Sequence, residues 1–540
     1  MGYALIWIEA LATALFVVAL VTAGAARLRW RSLQILFPVA AAVIIFGLGV
    51  ATAAAAWFIY YDRHLSHDWV AYTFSWTAAV GAGMGLVMWK GLRRGEGQAP
   101  AATEWPPLGI AIGLVAAAAC YVITFWNMDL TARMSLAAIR TEAGARALAL
   151  APPRIVDRDN AALVYEKAFN TMDKGDALPK EWSETWSNWA DDPQKPGFDS
   201  DSAALRAFMK RQEPAIAFLR RAAAMPDCSF ERNWAAPGFD MLLPELSDLR
   251  HAARLLVVDA RLKAADGKPR EALEDIAAVF GMAEHTQREP ITISALVAMA
   301  IDTAGSEGME AVLAACRPGT DDLKVLAIDD SLSFQHVMPR VFQMEEAFGL
   351  SAFPMVSEGD MGMRALGLNV ESFMIPLLPI WRVYLLPDEI VSYRNVMGEF
   401  GRLATRPYFQ TQTEWKRTEA RLSENHGMGI LTRFIVPALG RCMEVAAKAD
   451  ARHRLAMAAV AATSYRLKTG RLPARLEDLV PEFMPAVPVD PFDGKPMKMA
   501  ATTGGGIVIY SIGADFTDNG GKVWDDENRT GDITFHLGAK

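Results

Sequence analysis

The chain has 540 residues, more than one hydrophobic core usually serves, so its length predicts more than one folding unit. Its formal net charge of −8 argues against a nucleic-acid partner, which would require a basic face. Hydrophobic residues make up 52% of the sequence, and the surplus is concentrated before residue 128. The composition therefore predicts that the first quarter of the chain differs in kind from the rest.

The first 127 residues contain four long apolar stretches. A helix needs roughly 20 apolar residues to cross a hydrocarbon core about 30 Å thick, and each stretch meets that length. Tryptophan and tyrosine residues lie near their ends, as is typical of membrane-spanning helices. We therefore predict a four-helix transmembrane anchor in residues 1–127, with spans at about 3–25, 33–60, 69–89 and 108–126.

The short loops between these stretches predict an orientation. Basic residues cluster in the first and third loops, at Arg27, Arg29, Arg31, Lys90, Arg93 and Arg94. Because cytoplasmic loops carry an excess of Lys and Arg, both loops are expected in the cytoplasm. The prediction is a multi-pass protein of a bacterial inner membrane, in contact with the lipid bilayer. Its N-terminus and large C-terminal region are expected in the periplasm.

Residues 128–445 are predicted to form a large extracytoplasmic α-helical domain, because apolar residues recur at helical spacing between Pro- and Gly-marked turns. The clearest part is a pair of helices at 246–265 and 270–284, separated by Asp266-Gly267-Lys268-Pro269. The pair resembles a helical hairpin of the tetratricopeptide kind. A single hairpin fits either a binding solenoid or an unrelated helical bundle.

Residues 446–540 are predicted to form a small α+β domain. A helix at 446–468 ends at Thr469-Gly470, which is a C-cap signal, and a short helix follows at 475–479. Two β-type runs, 496–500 and 507–512, are separated by three consecutive glycines, which predicts a hairpin. A polar loop rich in Asp, Asn and Gly leads to a last apolar run. The fold class is therefore mainly α with a small α+β ending.

Three motifs accompany this order of elements: Gly470-Arg471-Leu472-Pro473, Asp490-Pro491-Phe492-Asp493-Gly494 and Ser511-Ile512-Gly513-Ala514-Asp515. Together they resemble the C-terminal domain of the major pseudopilin of type II secretion systems. The rest of the chain resembles membrane proteins of planctomycete-type bacteria that pair a helical domain with this ending. Pseudopilins begin with a cleavable leader and a single long helix, whereas this sequence has four apolar stretches followed by about 300 residues before the similar ending. We therefore expect a module reused for folding or docking, not an ordinary filament subunit.

The resemblance also implies a calcium site, because pseudopilins of this kind bind calcium in the loop that matches residues 511–532. Calcium takes about six to eight oxygen ligands, many of them from carboxylates. The resemblance carries over best to Asp515 and Asp532, and Asp518 and Asp525 lie in the same loop. The candidate metal ligands are these four residues. The alternative is a solvated turn, since Asp, Asn and Gly also favour turns.

Known catalytic motifs are missing from the sequence: it contains no Gly-x-Ser-x-Gly elbow, phosphate-binding loop, dinucleotide fingerprint or His-Glu-x-x-His motif. The leading hypothesis is a membrane-anchored envelope scaffold or docking protein linked to type II-like secretion, with envelope or secretion-system proteins as partners. One alternative is a membrane-bound enzyme acting on an envelope substrate in a cleft of the helical domain. A third is a sensor that relays ligand binding to the membrane helices. An enzyme requires converging Asp, Glu or His side chains with shifted pKa values.

Overall fold

The computed structural model describes most of the chain from Trp105 onward. The described residues are 105–173, 198–238, 241, 243–326, 328, 332–359, 378–423, 432, 436, 439–525 and 527–538, with side chains from residue 125. They contain twelve α-helices, two 3-10 helices and three β-strands. The described part of the chain is thus mainly helical, as the sequence predicts. By its contacts the chain divides into two compact units.

The prediction of four transmembrane helices is wrong for the part of the chain that the structure describes. No helix there is both long and apolar enough to cross a membrane, which also overturns the predicted multi-pass inner-membrane localisation. The first three predicted spans lie outside the described residues. The fourth, 108–126, falls in the first half of helix α1, Trp105–Leu150, whose side chains are described only from residue 125. The prediction rested mainly on apolar length, and a buried helix can have the same apolar signature as a membrane span.

The first unit comprises residues 105–135 and 378–392 of the described chain. It contains the start of α1, helix α9 (Leu378–Tyr384) and the start of α10 (Leu386–Ala404). The buried Arg382 donates a hydrogen bond to Asp129 at 2.6 Å, and Arg133 donates a second at 2.9 Å. Burial opposes ionisation of Asp129, but these hydrogen bonds hold its pKa below the usual value. A buried ion pair therefore connects α1 and α9 within this unit.

The second unit contains the remainder of α1 and α10 and all other helices. In chain order these are α2 (Ala161–Thr171), α3 (Ala203–Ala223), α4 (Pro244–Ala265), α5 (Pro269–Gln287), α6 (Thr292–Ala315), α7 (Thr320–Leu323), α8 (Phe334–Ser357), α11 (Tyr408–Ser423) and α12 (Cys442–Thr469). Local signals explain several starts. Asn160 and Ser202 cap α2 and α3 through their side chains, and α4 and α5 each begin with a proline.

The predicted helical hairpin at 246–284 is confirmed as α4 and α5. The turn between them places Gly267 at φ +73°, a conformation that glycine adopts without strain. Helix α6 packs against both helices, and its glycines allow the close approach. A Cβ atom on Gly308 would lie 2.9 Å from Ile276, and one on Gly305 would lie 3.1 Å from Val279. Three closely packed helices therefore form the centre of this unit.

The predicted ending of the chain is confirmed at the level of its elements. Helix α12 ends at Gly470, which has φ +77° and donates its N–H to Arg466 O at 2.8 Å. A 3-10 helix follows (Leu476–Leu479), then β1 (Lys498–Ala501), β2 (Ile507–Ser511) and β3 (Ile533–Leu537). The strands form an antiparallel sheet in the order β1-β2-β3. Because β2 is buried throughout and lies between the other two, it forms the centre of the sheet.

Candidate functional site

Asp490, in the Asp-Pro-Phe-Asp-Gly motif, ties this turn to the end of the central strand. Its side chain accepts hydrogen bonds from the hydroxyl of Ser511 and from the backbone N–H groups of Ile512 and Phe492, each at 2.9 Å. Asp490 is only 1% exposed, and burial raises its pKa despite these donors. The motif therefore has a structural role: it fixes the base of the loop that carries the predicted calcium ligands.

Three of the four predicted ligands lie close together in the loop after β2. Asn519 links two of them: its side-chain amide donates to Asp515 at 3.0 Å, and its backbone N–H donates to Asp532 at 3.2 Å. Burial raises the pKa of Asp532, and the negative charges of Asp518 and Asp515 raise it further. These three carboxylates therefore share one electrostatic environment.

The fourth predicted ligand, Asp525, lies in a separate turn. Its side chain accepts from the backbone N–H groups of Glu527 (2.9 Å) and Asn528 (3.1 Å) and from the Asn528 side chain (2.7 Å). Its pKa is lowered, first by the side chain of Asn528 and then by the Asn528 backbone. Asp525 therefore acts as a turn-closing residue, and the structure does not group it with the other three.

The three grouped carboxylates point at N–H donors and do not form a metal cage. Asp515 also accepts from Gly531 N at 3.0 Å, Asp532 from Gly521 N at 2.7 Å and Asp518 from Gly520 N at 3.0 Å. In the part of the chain that the structure describes, no three His, Cys, Asp or Glu side chains are placed to hold a metal ion. The carboxylate oxygens are of the kind that calcium takes, and each of the three carboxylates already accepts from N–H groups, so calcium binding stays a prediction.

Two aromatic residues attach the acidic loop to the helices behind it. Phe516 contacts Phe492 edge-on and lies 4.5 Å from the ammonium group of Lys416 in α11. Trp524 lies 5.1 Å from the ammonium group of Lys448 in α12. Phe516 has φ +58°, an unfavourable conformation for a bulky residue that the surrounding contacts must hold. The loop is therefore fixed in place and is not a free turn.

Among the described residues of the helical domain, Tyr165, Cys228 and His285 form a buried cluster of reactive groups. His285 Nε2 lies 2.9 Å from Met225 O, and because a carbonyl only accepts, Nε2 donates. Burial lowers the pKa of His285, so Nδ1 of the neutral ring accepts from the Tyr165 hydroxyl at 2.9 Å. Burial also raises the pKa of the Cys228 thiol to about 12, which makes it a poor nucleophile. Both nitrogens of His285 are occupied by hydrogen bonds, and the Cys228 thiol is not ionised at neutral pH. These groups therefore have a structural role.

A second buried cluster lies at the start of α6. Arg232 donates to Glu245 and, at 3.3 Å, to Glu289, and the hydroxyl of Ser294 donates to Glu289 at 3.0 Å. The Arg232 and Glu289 side chains are nearly buried, and burial raises the pKa of Glu289. One guanidinium therefore joins the loop before α4 to the loop before α6, as expected of a buried structural ion pair.

A joint between the C-terminal module (residues 446–540) and α6 was not foreseen from the sequence. Three acidic residues of α6 each bind a basic side chain: Asp302 binds His453 at 2.8 Å, Glu307 binds Arg452, and Glu310 binds His536 at 3.0 Å. His453 and Arg452 lie in α12, and His536 lies in β3. Residues separated by more than 140 positions meet here, so no local spacing in the sequence indicated the joint.

Comparison with known proteins gave no match: no family model, curated protein or solved structure is similar to this chain at a significant level.

Proposed function

We propose that this chain is a non-catalytic docking protein in which the helical domain carries the C-terminal module as a fixed binding surface. The joint at α6 carries the proposal. One ion pair and two histidine–carboxylate hydrogen bonds from one helix, together with the aromatic contacts of Phe516 and Trp524, attach the module at several points. A module attached in this way presents its exposed side in a fixed orientation, which reduces the conformational entropy lost when a partner binds.

The buried ionisable groups of the helical domain support this function over the enzymatic alternative. Both ring nitrogens of His285 are hydrogen-bonded, and the pKa of Cys228 is raised, whereas a catalytic thiol requires a lowered pKa. Asp450 in α12 accepts from the start of α8, and Arg232 joins two loops. His285, Asp450 and Arg232 thus each connect secondary-structure elements or loops to one another.

The partner class follows from the resemblance to pseudopilins, which makes secretion-system proteins the first partners to test. Val489 and Val523 are 44% and 52% exposed on the module, so either position accepts a photo-crosslinking side chain without disturbing the core. Val156, which is 64% exposed before α2, provides a matched control outside the module.

The experiment places the crosslinker at each of these three positions in the full-length chain, in its own cells. The docking function predicts that Val489 and Val523 crosslink to the same discrete protein and that Val156 does not. Equal labelling of many proteins at all three positions, or self-crosslinks alone, would contradict it. Asp490→Ala, which removes the anchor of the loop, should abolish the crosslinks from Val523.

Calcium remains part of the proposal for the loop that contains Asp515, Asp518 and Asp532. The support is electrostatic: Asp518 and Asp515 raise the pKa of Asp532, so a divalent cation beside them would relieve repulsion between like charges. Asp525 does not belong to this group, because it closes its own turn.

A further inference from the structure

Glu310 of α6 binds the last strand of the sheet at two points. His536 donates its backbone N–H, at 3.1 Å, and its ring Nδ1–H, at 3.0 Å, to the same carboxylate oxygen. His536 lies opposite Val508 in β2, and its N–H points away from that strand, since Glu310 accepts it. Glu310 therefore covers an edge donor of β3 that an antiparallel pair leaves free.

A small polar cavity lies beside this contact. Its volume is about 10 Å³, close to the minimum for one water molecule, and its lining includes Ser306, Glu307, Glu310, Arg452, Thr534 and Phe535. Ser306 is 3% exposed, and its hydroxyl oxygen is buried without a hydrogen-bond partner among the described residues. A water molecule that entered the cavity would supply a hydrogen-bond partner to this hydroxyl.

We propose that this joint is a proton-operated latch, in which protonated His536 holds β3 on α6 and deprotonation of His536 loosens the strand. The cavity beside Ser306 gives the loosened contact a place for water to enter. The latch is a property of the chain itself and does not depend on the proposed docking function.

The charged groups around His536 explain why its deprotonation weakens the contact between β3 and α6 without breaking it. From α6, Glu307 and Glu310 face the joint, and from α12, Arg452 binds Glu307. Val508, the residue opposite His536 in β2, is uncharged. When His536 loses its proton, its contact with Glu310 changes from a charge-assisted hydrogen bond to a weaker, neutral one.

The end of the strand has a second attachment that does not titrate in this range. Arg466 of α12 donates a hydrogen bond to the backbone oxygen of Gly538 at 3.0 Å. The nearby charged residue that acts on Arg466 is Arg317. An arginine remains charged throughout the physiological range. The strand therefore stays attached at its end while its middle loosens.

The direction of the pH effect follows from the contact with Glu310. The hydrogen bond from His536 to Glu310 raises the pKa of the imidazole above its ordinary value of 6.5, and the charge of Glu310 adds to this rise. A histidine with a raised pKa contributes stability that is fully present below pH 6.5 and is lost as the pH rises through the raised value. The latch is therefore closed in mild acid and loosens toward alkaline pH.

Hydrogen exchange of the full-length chain tests the latch. The protection of the β3 amides is measured relative to the α8 amides, once below pH 6.5 and once well above it. The relative protection in the wild type should fall by about twofold to fivefold, the range of a partly exposed ion pair. His536→Asn keeps a neutral donor near the Nδ1 position and should abolish this pH step.

Two further variants keep the test decisive. His336→Asn removes an exposed histidine of α8, and this variant should retain the pH step of the wild type. Glu310→Gln returns the pKa of His536 to its ordinary range and should also abolish the step, which provides a second route if His536→Asn folds poorly. A pH-independent wild type, or a pH step that survives both His536→Asn and Glu310→Gln, would overturn the latch.

Discussion

The aspartates of the helical interior and those of the C-terminal loop show how far the environment decides what one residue type does. Burial raises the pKa of Asp275 to about 7 and raises that of Asp450 as well. In the exposed loop, hydrogen bonds to nearby N–H groups lower the pKa of Asp518 and Asp525. The two groups also differ in what they connect, because the interior aspartates join helices whereas Asp525 binds residues two or three positions away within its own turn.

This difference in environment predicts where a substitution should be costly. A buried carboxylate that joins two helices leaves several unsatisfied donors when it is removed, and each costs about 1–3 kcal/mol. A loop carboxylate leaves its donors exposed to water, which replaces the lost bonds at little cost. We therefore expect the largest effects in the interior and the smallest at the turn that contains Asp525.

Asp450 should give the largest effect. It accepts from the backbone N–H of Phe334 at 2.7 Å, the hydroxyl of Ser333 at 3.1 Å and the side chain of Gln335 at 2.9 Å, so it caps the start of α8 from another helix. Asp450→Ala should lower the free energy of unfolding by about 3 kcal/mol, as measured by denaturant titration. Asp450→Asn keeps one acceptor and should lose less. A loss below about 1 kcal/mol for the alanine variant would contradict the capping role.

Asp275 should control part of the pH dependence of stability. Arg220 binds it at 2.6 Å and Lys263 at 2.8 Å, yet burial raises its pKa to about 7. Because the raised value belongs to the folded state, the stability contribution is full below pH 3.8 and is lost as the pH rises through about 7.

Asp275→Asn tests this assignment because asparagine does not titrate. The difference in unfolding free energy between wild type and variant should change by on the order of 2 kcal/mol between these two pH values. A flat difference for Asp275→Asn would show that its two basic partners cancel the effect of burial.

The sequence predicted the elements of the C-terminal module well because their signals are local. The cap at Gly470 and the hairpin at residues 504–506 lie beside the elements that they end or connect. The contact of Asp450 with Phe334 spans 116 positions and that of Glu310 with His536 spans 226, so neither has a local signature. Hydropathy of the first 127 residues predicted membrane spans, and the described helices did not bear this out.

The candidate calcium site stays a prediction. The resemblance selected two of the four aspartates, and the other two were added because they lie in the same loop. The structure places three of the four near Asn519 and Asp525 in a separate turn. Spacing along a loop does not reveal where a separate turn closes. That turn is closed by an antiparallel bridge between Asp525 and Thr530, which depends on the backbone conformation of Arg529 at φ +52°.

Calcium should raise the melting temperature moderately, and this rise should depend on the three grouped aspartates but not on Asp525. If the grouped carboxylates bind calcium, the melting temperature of the full-length chain should rise by about 2 °C with calcium relative to chelator. Asp518→Asn should remove this rise, and Asp525→Asn, the matched control in the separate turn, should retain it. An unchanged melting temperature in the wild type would exclude a calcium site in the loop.

Asp525→Ala should give the smallest effect and sharpen the contrast with Asp450. The carboxylate is exposed and bonds only within its own turn, so its loss should leave the denaturation midpoint unchanged. The amides of Glu527 and Asn528 should nevertheless exchange faster, because they lose their acceptor. Since hydrogen bonding lowers the pKa of Asp525, the same amides in the wild type should lose protection as the pH falls through that value. A shifted midpoint would show that this turn supports more of the module than its own contacts indicate.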